Sequence, residues 1–225
     1  MNYSLNFDFL AERWPDLLEG LWVTIELTVA ANLIGITLGF VICLAAMSHW
    51  WWLRLPVRGF IEFFRCTPAL LQIIWIFYCV PIMFDVFIDP IPMGILALGL
   101  NLAAFNAEAY RAGAQAVPKE HFDACVALGL RRWQQILFVV LPQAARNATP
   151  VLITNGIGIL QQSALVAIVS VADLMYMGKS IATENYRVIE TYSVVAVLYL
   201  LLSLPIAKLA TAIERRHDRA TERTS

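Results

Sequence analysis

Asn155, Gln161, Gln162 and Ser163 are polar side chains set in an otherwise apolar run of residues. An amide both donates and accepts hydrogen bonds, so one such group can hold an ammonium or a carboxylate. The competing reading is plain interhelical hydrogen bonding, worth about 0.6 kcal/mol each. A second set is ionic: Glu62 with Arg65, and Glu108 with Arg111. On a helix the Glu108–Arg111 spacing places opposite charges one turn apart, so a structural ion pair competes with a role in binding. The third set is the stretch from Glu108 to Pro142. It carries Glu108, Arg111, Lys119, Glu120, Asp123, Arg131 and Arg132 in a chain that is mostly apolar elsewhere. A short helix with charged ends is a suitable knob for a groove on another protein, where Asp123 can meet an arginine. The alternative is a solvated helix with no partner. His49, His121 and His217 have no companions at ligand spacing, so no metal is expected. Cys43, Cys66, Cys79 and Cys125 are read as reduced packing residues.

These sets must be positioned by a membrane scaffold. Of 225 residues, 60% are hydrophobic and 15% charged, and the mean hydropathy is +0.67. Soluble domains average roughly 45–50% apolar and about 25% charged. The net charge of −1 gives no bias toward nucleic acid. The N-terminus has neither a basic region nor a short apolar core, so no cleaved signal peptide is expected.

The expected fold class is an all-α integral membrane protein with five transmembrane helices. Residues 1–20 read as an amphipathic helix at the extracytoplasmic surface. A transmembrane domain covers 21–213, and a basic cytoplasmic tail, expected to be frayed, covers 214–225. The first span runs from about Leu21 to Met47, roughly 40 Å as a helix. Trp50, Trp51 and Trp52 beside Arg54 and Arg58 form an interfacial belt. The second span covers about Val57 to Met83, and Pro68 and Pro81 predict a kink and an end. The third covers about Ile91 to Ala109, where Gly94, Gly99, Asn101 and Asn106 suit close helix contact. A cytoplasmic helix follows at about 117–130, between spans three and four. Pro118 suits its first turn and Gly129 its C-terminal cap. His121, Cys125 and Leu128 share one of its faces by spacing. Arg131 and Arg132 open the next helix, which Pro142 is expected to kink. The fourth span lies at about Pro150 to Val171 and the fifth at about Thr191 to Ile213.

Charge sets the orientation. If the polar stretch and the C-terminus are cytoplasmic, only Arg13, Lys179 and Arg187 lie outside among the basic residues. The opposite orientation violates the positive-inside rule.

The run Asp123-Ala124-Cys125-Val126-Ala127-Leu128-Gly129, followed by Ile136 and Leu141-Pro142-Gln143-Ala144, resembles the EAA loop of permease subunits from bacterial ATP-binding-cassette importers. Glu62-Phe63-Phe64-Arg65-Cys66-Thr67-Pro68 looks like the Phe-Arg-Gly-Thr-Pro stretch of polar amino-acid permeases. Ala107-Glu108-Ala109-Tyr110-Arg111-Ala112-Gly113 resembles their Ala-Glu-x-x-Arg-x-Gly. The chain departs from the pattern at Asp123 for Glu, Cys125 for Ala, and Glu120-His121 for Gly-Gln. Gln161-Gln162-Ser163-Ala164-Leu165 stands where relatives often read Lys-Asp-Thr-Ser-Leu.

The resemblance implies a type I importer permease in the bacterial inner membrane. It pairs with a second permease, the same or a paralogue, and sits among lipids on two ATPase subunits that bind ATP and Mg. An extracytoplasmic solute-binding protein delivers the substrate. Asp123, Ala124, Cys125, Gly129, Arg131 and Arg132 are the implied coupling residues. Asn155, Gln161, Gln162, Ser163, Arg65 and Glu108 are the substrate-path candidates, and Pro68 and Pro142 are structural. The chain contains no GxxxxGK[ST] loop, so it is expected to bind no cofactor and to be no enzyme itself. Gln162 in place of an acid favours a neutral or acidic amino acid, glutamate and aspartate included. The alternative is an ATP-independent channel or proton-coupled carrier, for which Glu26 is the interior ionisable residue.

Overall fold

The structure, a computed structural model, describes residues 5–222, with side chains through residue 212. All regular structure in that range is helical: α1 (Asp8–Glu12), α2 (Trp14–Ala46), α3 (Trp51–Cys66), α4 (Ala69–Phe84), α5 (Pro90–Gln115), α6 (Lys119–Ala127), α7 (Arg132–Gln134), α8 (Leu141–Gln162), α9 (Leu174–Asn185) and α10 (Val188–Glu222). A π-helical segment, Gln135–Val140, joins α7 to α8, and a 3-10 segment, Ser163–Val169, follows α8. Four stretches are long and apolar enough to cross a membrane: Trp14–Ala46, Pro90–Gln115, Arg132–Val169 and Val188–Ala212. The pair α3 and α4, taken as one broken span, is the fifth.

Small residues on α2 organise the bundle. Its buried positions include Gly20, Thr24, Thr28, Ala31, Gly35, Gly39, Cys43 and Ala46, a stripe at three- and four-residue spacing. Small residues let two backbones approach closely in lipid, where packing rather than water drives helix association. The facing helix is α5. A Cβ on Gly35 would fall 2.3 Å from Cγ of Leu102, and one on Gly39 would fall 2.9 Å from Cβ of Asn106. Leu27, Ala31, Ile73, Ile76, Met93, Ala97, Leu98 and Leu102 pack into the main core. Exposed Val29, Leu33 and Val41 on α2, and Val197, Leu200 and Leu201 on α10, present apolar surface outward.

The boundaries differ from the sequence expectation in three places. Residues 14–20 belong to α2 itself, so the separate N-terminal helix is only α1, Asp8–Glu12. Pro15 sits in the first turn of α2, where the missing N–H costs nothing. The fourth span starts at Arg132, well before Pro150, which lies inside α8. The tail is helical in backbone to Glu222, while residues 1–4 and 223–225 lie outside the described residues.

Pro68 marks a break far sharper than a kink: α3 and α4 meet at 113°. A break inside a span frees backbone carbonyls that lipid cannot satisfy. Here Gln72 satisfies them. Its Nε2 donates to Phe64 O at 2.9 Å, Thr67 O at 3.0 Å and Thr67 Oγ1 at 2.7 Å. Asn101 Nδ2 on α5 donates to Gln72 Oε1 at 2.8 Å, tying the elbow to the bundle. Gln72→Leu strands those carbonyls, at about 1–3 kcal/mol for a buried unsatisfied group. The expected result is a lower melting temperature of the detergent-solubilised protein. An unchanged value would show that the elbow holds without this side chain.

At the other end of α2, α9 closes the bundle. Asp173 caps α9, its Oδ1 accepting from Tyr176 N at 2.9 Å and its Oδ2 from Tyr199 Oη at 3.3 Å. Thr24 Oγ1 accepts from Leu174 N at 3.0 Å. Asp173 is fully buried. Burial pushes its carboxyl up from 3.8 to about 6. A raised acid pKa means that ionisation costs more in the folded state than in the unfolded one. Its contribution to stability is therefore largest below pH 3.8 and is lost as pH rises through about 6. The loss amounts to about 3 kcal/mol. Asp173→Asn keeps a capping oxygen but does not titrate. The melting gap between wild type and variant should shift against the wild type from pH 4.5 to pH 7; a pH-independent gap would contradict this.

Candidate functional site

The polar stretch folds as a compact knob. Pro118, with φ of −59°, leads the chain into α6. The helix ends in a closed pair of bonds: Leu130 N donates to Cys125 O and Gly129 N to Val126 O, each at 3.0 Å. Gly129 has φ +66°, the left-handed conformation that this closure needs. No atom lies within 4 Å of where its Cβ would be, so the demand for glycine is conformational alone.

One side of α6 is anchored. Cys125 is buried, and His121 Nδ1 lies 2.8 Å from Gln143 Oε1 on α8. The other side is open: Asp123, Ala124, Val126 and Ala127 are exposed. Leu128 does not join His121 and Cys125 on the packed face as its spacing suggested. It is the residue at which α6 ends, and it is 77% exposed. Arg131 and Arg132 follow, both exposed, with Arg131 N donating to Gln134 Oε1 at 2.9 Å. Trp133, Ile136 and Phe138 are exposed beside them. They open the stretch Arg132–Val169, long and apolar enough to cross a membrane, where outward apolar side chains suit lipid. Sequence reasoning named Ile136 within the motif and missed Trp133 and Phe138.

The π-helical segment accommodates Pro142. A proline removes one helical bond and crowds the carbonyl four residues back. Widening Gln135–Val140 to bonds five residues apart relieves that crowding, and Leu141 N reaches Ile136 O. The expected kink is thus a local change of helical register.

The ion pair forms as the spacing indicated. Arg111 Nε lies 2.9 and 3.1 Å from the two Glu108 carboxylate oxygens, and its Nη2 also meets Glu108 Oε1. Arg65 lies across α3 with its guanidinium carbon 5.9 Å from the Phe105 ring centroid.

Amides collect where α2, α5 and α8 meet. Asn155 Nδ2 donates to Asn106 Oδ1 at 3.0 Å. Asn32 Nδ2 donates to Thr28 O at 2.9 Å and Gly156 O at 3.4 Å. Asn106 is fully buried, and its Nδ2 has no hydrogen-bond partner among the described residues; nor does the buried Oε1 of Gln162. Unmatched buried polar atoms are rare and call for a partner. The other two candidates diverge. Ser163 is fully buried and spends its hydroxyl on Leu160 O at 2.8 Å, and Gln161 is exposed. At Ser163 the α-helix tightens to 3-10 geometry, a change common at functional positions.

Residues 31–219 match the family model described as the binding-protein-dependent transport system inner membrane component. The chain belongs to this family. It is a permease subunit of the ATP-binding-cassette importer type and is not itself an ATPase. The permease is 32% identical over 216 residues to the glutamine transport system permease protein GlnP of Escherichia coli (strain K12), covering 94% of this chain and 98% of that protein. It is 30% identical to the arginine transport system permease protein ArtQ of Bacillus subtilis (strain 168), covering 94% and 98%. A solved structure described as an amino acid ABC transporter with histidines superposes with a TM-score of 0.89 at 33% identity. The match covers 95% of the permease and 100% of that chain. The methionine transporter MetNI, at 18% identity and a TM-score of 0.69, shares the fold.

Proposed function

We propose that this permease forms the translocation path of an amino-acid importer and transmits to it the motion of two ATPase subunits. The observation that carries this reading is the continuity of α8. Near its start Gln143 touches the α6 knob, and farther along the same helix stand Asn155 and Gln162. A displacement of the knob therefore reaches the amide cluster through one rigid element.

Each ATPase subunit binds ATP and Mg and supplies the energy. The exposed face of α6, with Asp123 and Ala124, and the exposed Arg131 and Arg132 engage a groove on that subunit. Cys125 acts from the buried side, holding α6 to the bundle, and Gly129 turns the chain back toward the membrane. When the grooves draw together, α6 carries α8 with it, and the path changes from inward- to outward-facing. An extracytoplasmic solute-binding protein then releases substrate into it. A second permease, a copy or a paralogue, completes the path. The N-terminus lies outside and the C-terminus in the cytosol, because this orientation leaves only Arg13, Lys179 and Arg187 outside.

Asn106, Asn155 and Gln162 offer uncharged donors and acceptors, which suits a neutral or acidic amino acid better than a cationic one. Relatives transport different amino acids by name: glutamine for GlnP, arginine for ArtQ. Placing a carboxylate in the cluster should change the choice. Uptake by reconstituted complexes carrying Gln162→Glu should shift about tenfold toward arginine and lysine, the effect of one charge-assisted bond. An unaltered substrate profile would remove Gln162 from the path.

A proton-coupled carrier needs an ionisable relay inside the bundle. Glu26 lies instead on the exposed stripe of α2 that includes Trp22 and Val29.

A further inference from the structure

A polar cavity of about 260 Å³ opens between the end of α2, α3 and α5, lined by Ala46, Arg58, Ile61, Glu62, Glu108 and Arg111. It lies apart from the amide cluster and toward the end of the bundle that carries the α6 knob. Its charges are balanced, two carboxylates against two guanidinium groups. Glu108 and Arg111 satisfy each other across two nitrogen–oxygen contacts and a third shorter one. Arg58 and Glu62 do not. They stand one turn apart on α3, both exposed. Glu62 receives a weak contact from Cys66 Sγ at 3.6 Å, and Arg58 acts on Glu108 only at a distance. The cavity thus presents one guanidinium and one carboxylate with open valence, beside a neutral closed pair.

We propose that this cavity is a cytosol-facing binding site for the zwitterionic head of an α-amino acid, with Arg58 holding the carboxylate and Glu62 the ammonium. The inference rests on the amino-acid reading above and adds a second site to it. The two free groups are complementary to a carboxylate and an ammonium held on one carbon. Both partners of each contact carry charge, which makes them the stronger class of hydrogen bond. Arg65 continues the same face of α3 toward the elbow at Pro68, so charges alternate along the way from the membrane interior to the cavity. A substrate leaving for the cytosol meets this ladder last. The site recognises the backbone of the amino acid and so tolerates different side chains. It also fills from the cytosolic side when the amino acid accumulates there.

The test uses the permease–ATPase complex in nanodiscs, without the solute-binding protein. The probe is radiolabelled L-glutamine, measured by equilibrium dialysis. Binding is expected, with competition by L-alanine but not by propionate or ethylamine, which each lack one charge. Arg58→Gln and Glu62→Gln should each weaken binding about tenfold or more. Both side chains are exposed, so neither change endangers folding. The exchange Arg58→Glu with Glu62→Arg restores both charges in swapped places and should recover part of the affinity. Equal binding by wild type and both neutral variants would overturn the site, as would competition by propionate alone. Uptake of amino acids by the complete complex is measured in parallel. If uptake proceeds while the variants bind normally, the cytosolic site falls and the importer reading stands. If no amino acid is taken up, the importer reading itself fails.

Discussion

Gly113→Leu should all but abolish accumulation of the folded permease. Gly113 lies where α5 crosses α8. A Cβ there would fall 2.5 Å from Ala144 O and 3.0 Å from Ala148 N, both backbone atoms. A flexible side chain can swing away from such an intrusion, whereas helical backbone cannot without moving the helix. The crossing is also pinned by Asn147 Nδ2, which donates to Gly113 O at 3.2 Å. Overpacking a close contact costs about 1–3 kcal/mol, and a wedge against two backbone atoms belongs at or above the top of that range. Since α8 carries both the knob contact and the amide cluster, any displacement here also misaligns function. Membrane levels measured by fluorescence-detected size exclusion should fall about a hundredfold or more, the change to which about 3 kcal/mol corresponds. Gly59→Leu is the matched control: nothing lies within 4 Å of its Cβ position, and accumulation should be normal. Equal accumulation of both variants would contradict the packing account.

The second large effect is expected at Asp123. Its side chain is exposed on the open face of α6, and no described residue forms a hydrogen bond or ion pair with it. Asp123→Lys therefore leaves the bundle intact but reverses the charge offered to the ATPase subunit. A charge-assisted contact contributes about 1.5–3 kcal/mol, and reversal replaces attraction with repulsion. ATPase activity stimulated by loaded binding protein should fall between about tenfold and a hundredfold, with membrane levels unchanged. Asp123→Glu, the residue that the related motif carries, should retain stimulation. Full stimulation in the lysine variant would exclude Asp123 from the coupling contact.

The parts of this architecture governed by local chemistry were legible in the sequence. A glycine six residues after Asp123 announced the end of α6, because only the left-handed region closes that turn without strain. The Glu108–Arg111 spacing announced their pair, and the small residues of α5 announced its close helix contacts. What depended on distant residues was not legible. Pro68 signalled a break but not its 113° angle, which is held by an amide pair, Gln72 and Asn101, 29 residues apart. The lone glutamine in an apolar run after Pro68 was the available clue. Pro150 was read as the start of the fourth span, yet helix α8 runs through it and the apolar stretch begins at Arg132, where the helix was expected to open. Among the amide candidates, sequence grouped four neighbours. Helical geometry separated them, sending Gln161 outward, closing Ser163 on its own backbone, joining Asn155 to Asn106, and leaving Gln162 with a buried amide oxygen.

The most direct test of the central claim is purification of the tagged permease from native membranes in a mild detergent, followed by peptide mass spectrometry and an ATPase assay. The account predicts recovery of an ATP-binding-cassette ATPase in about equal amount, with hydrolysis that depends on its presence. Recovery of this chain alone, coupled with amino-acid transport by the purified chain in proteoliposomes lacking any ATPase, would contradict it.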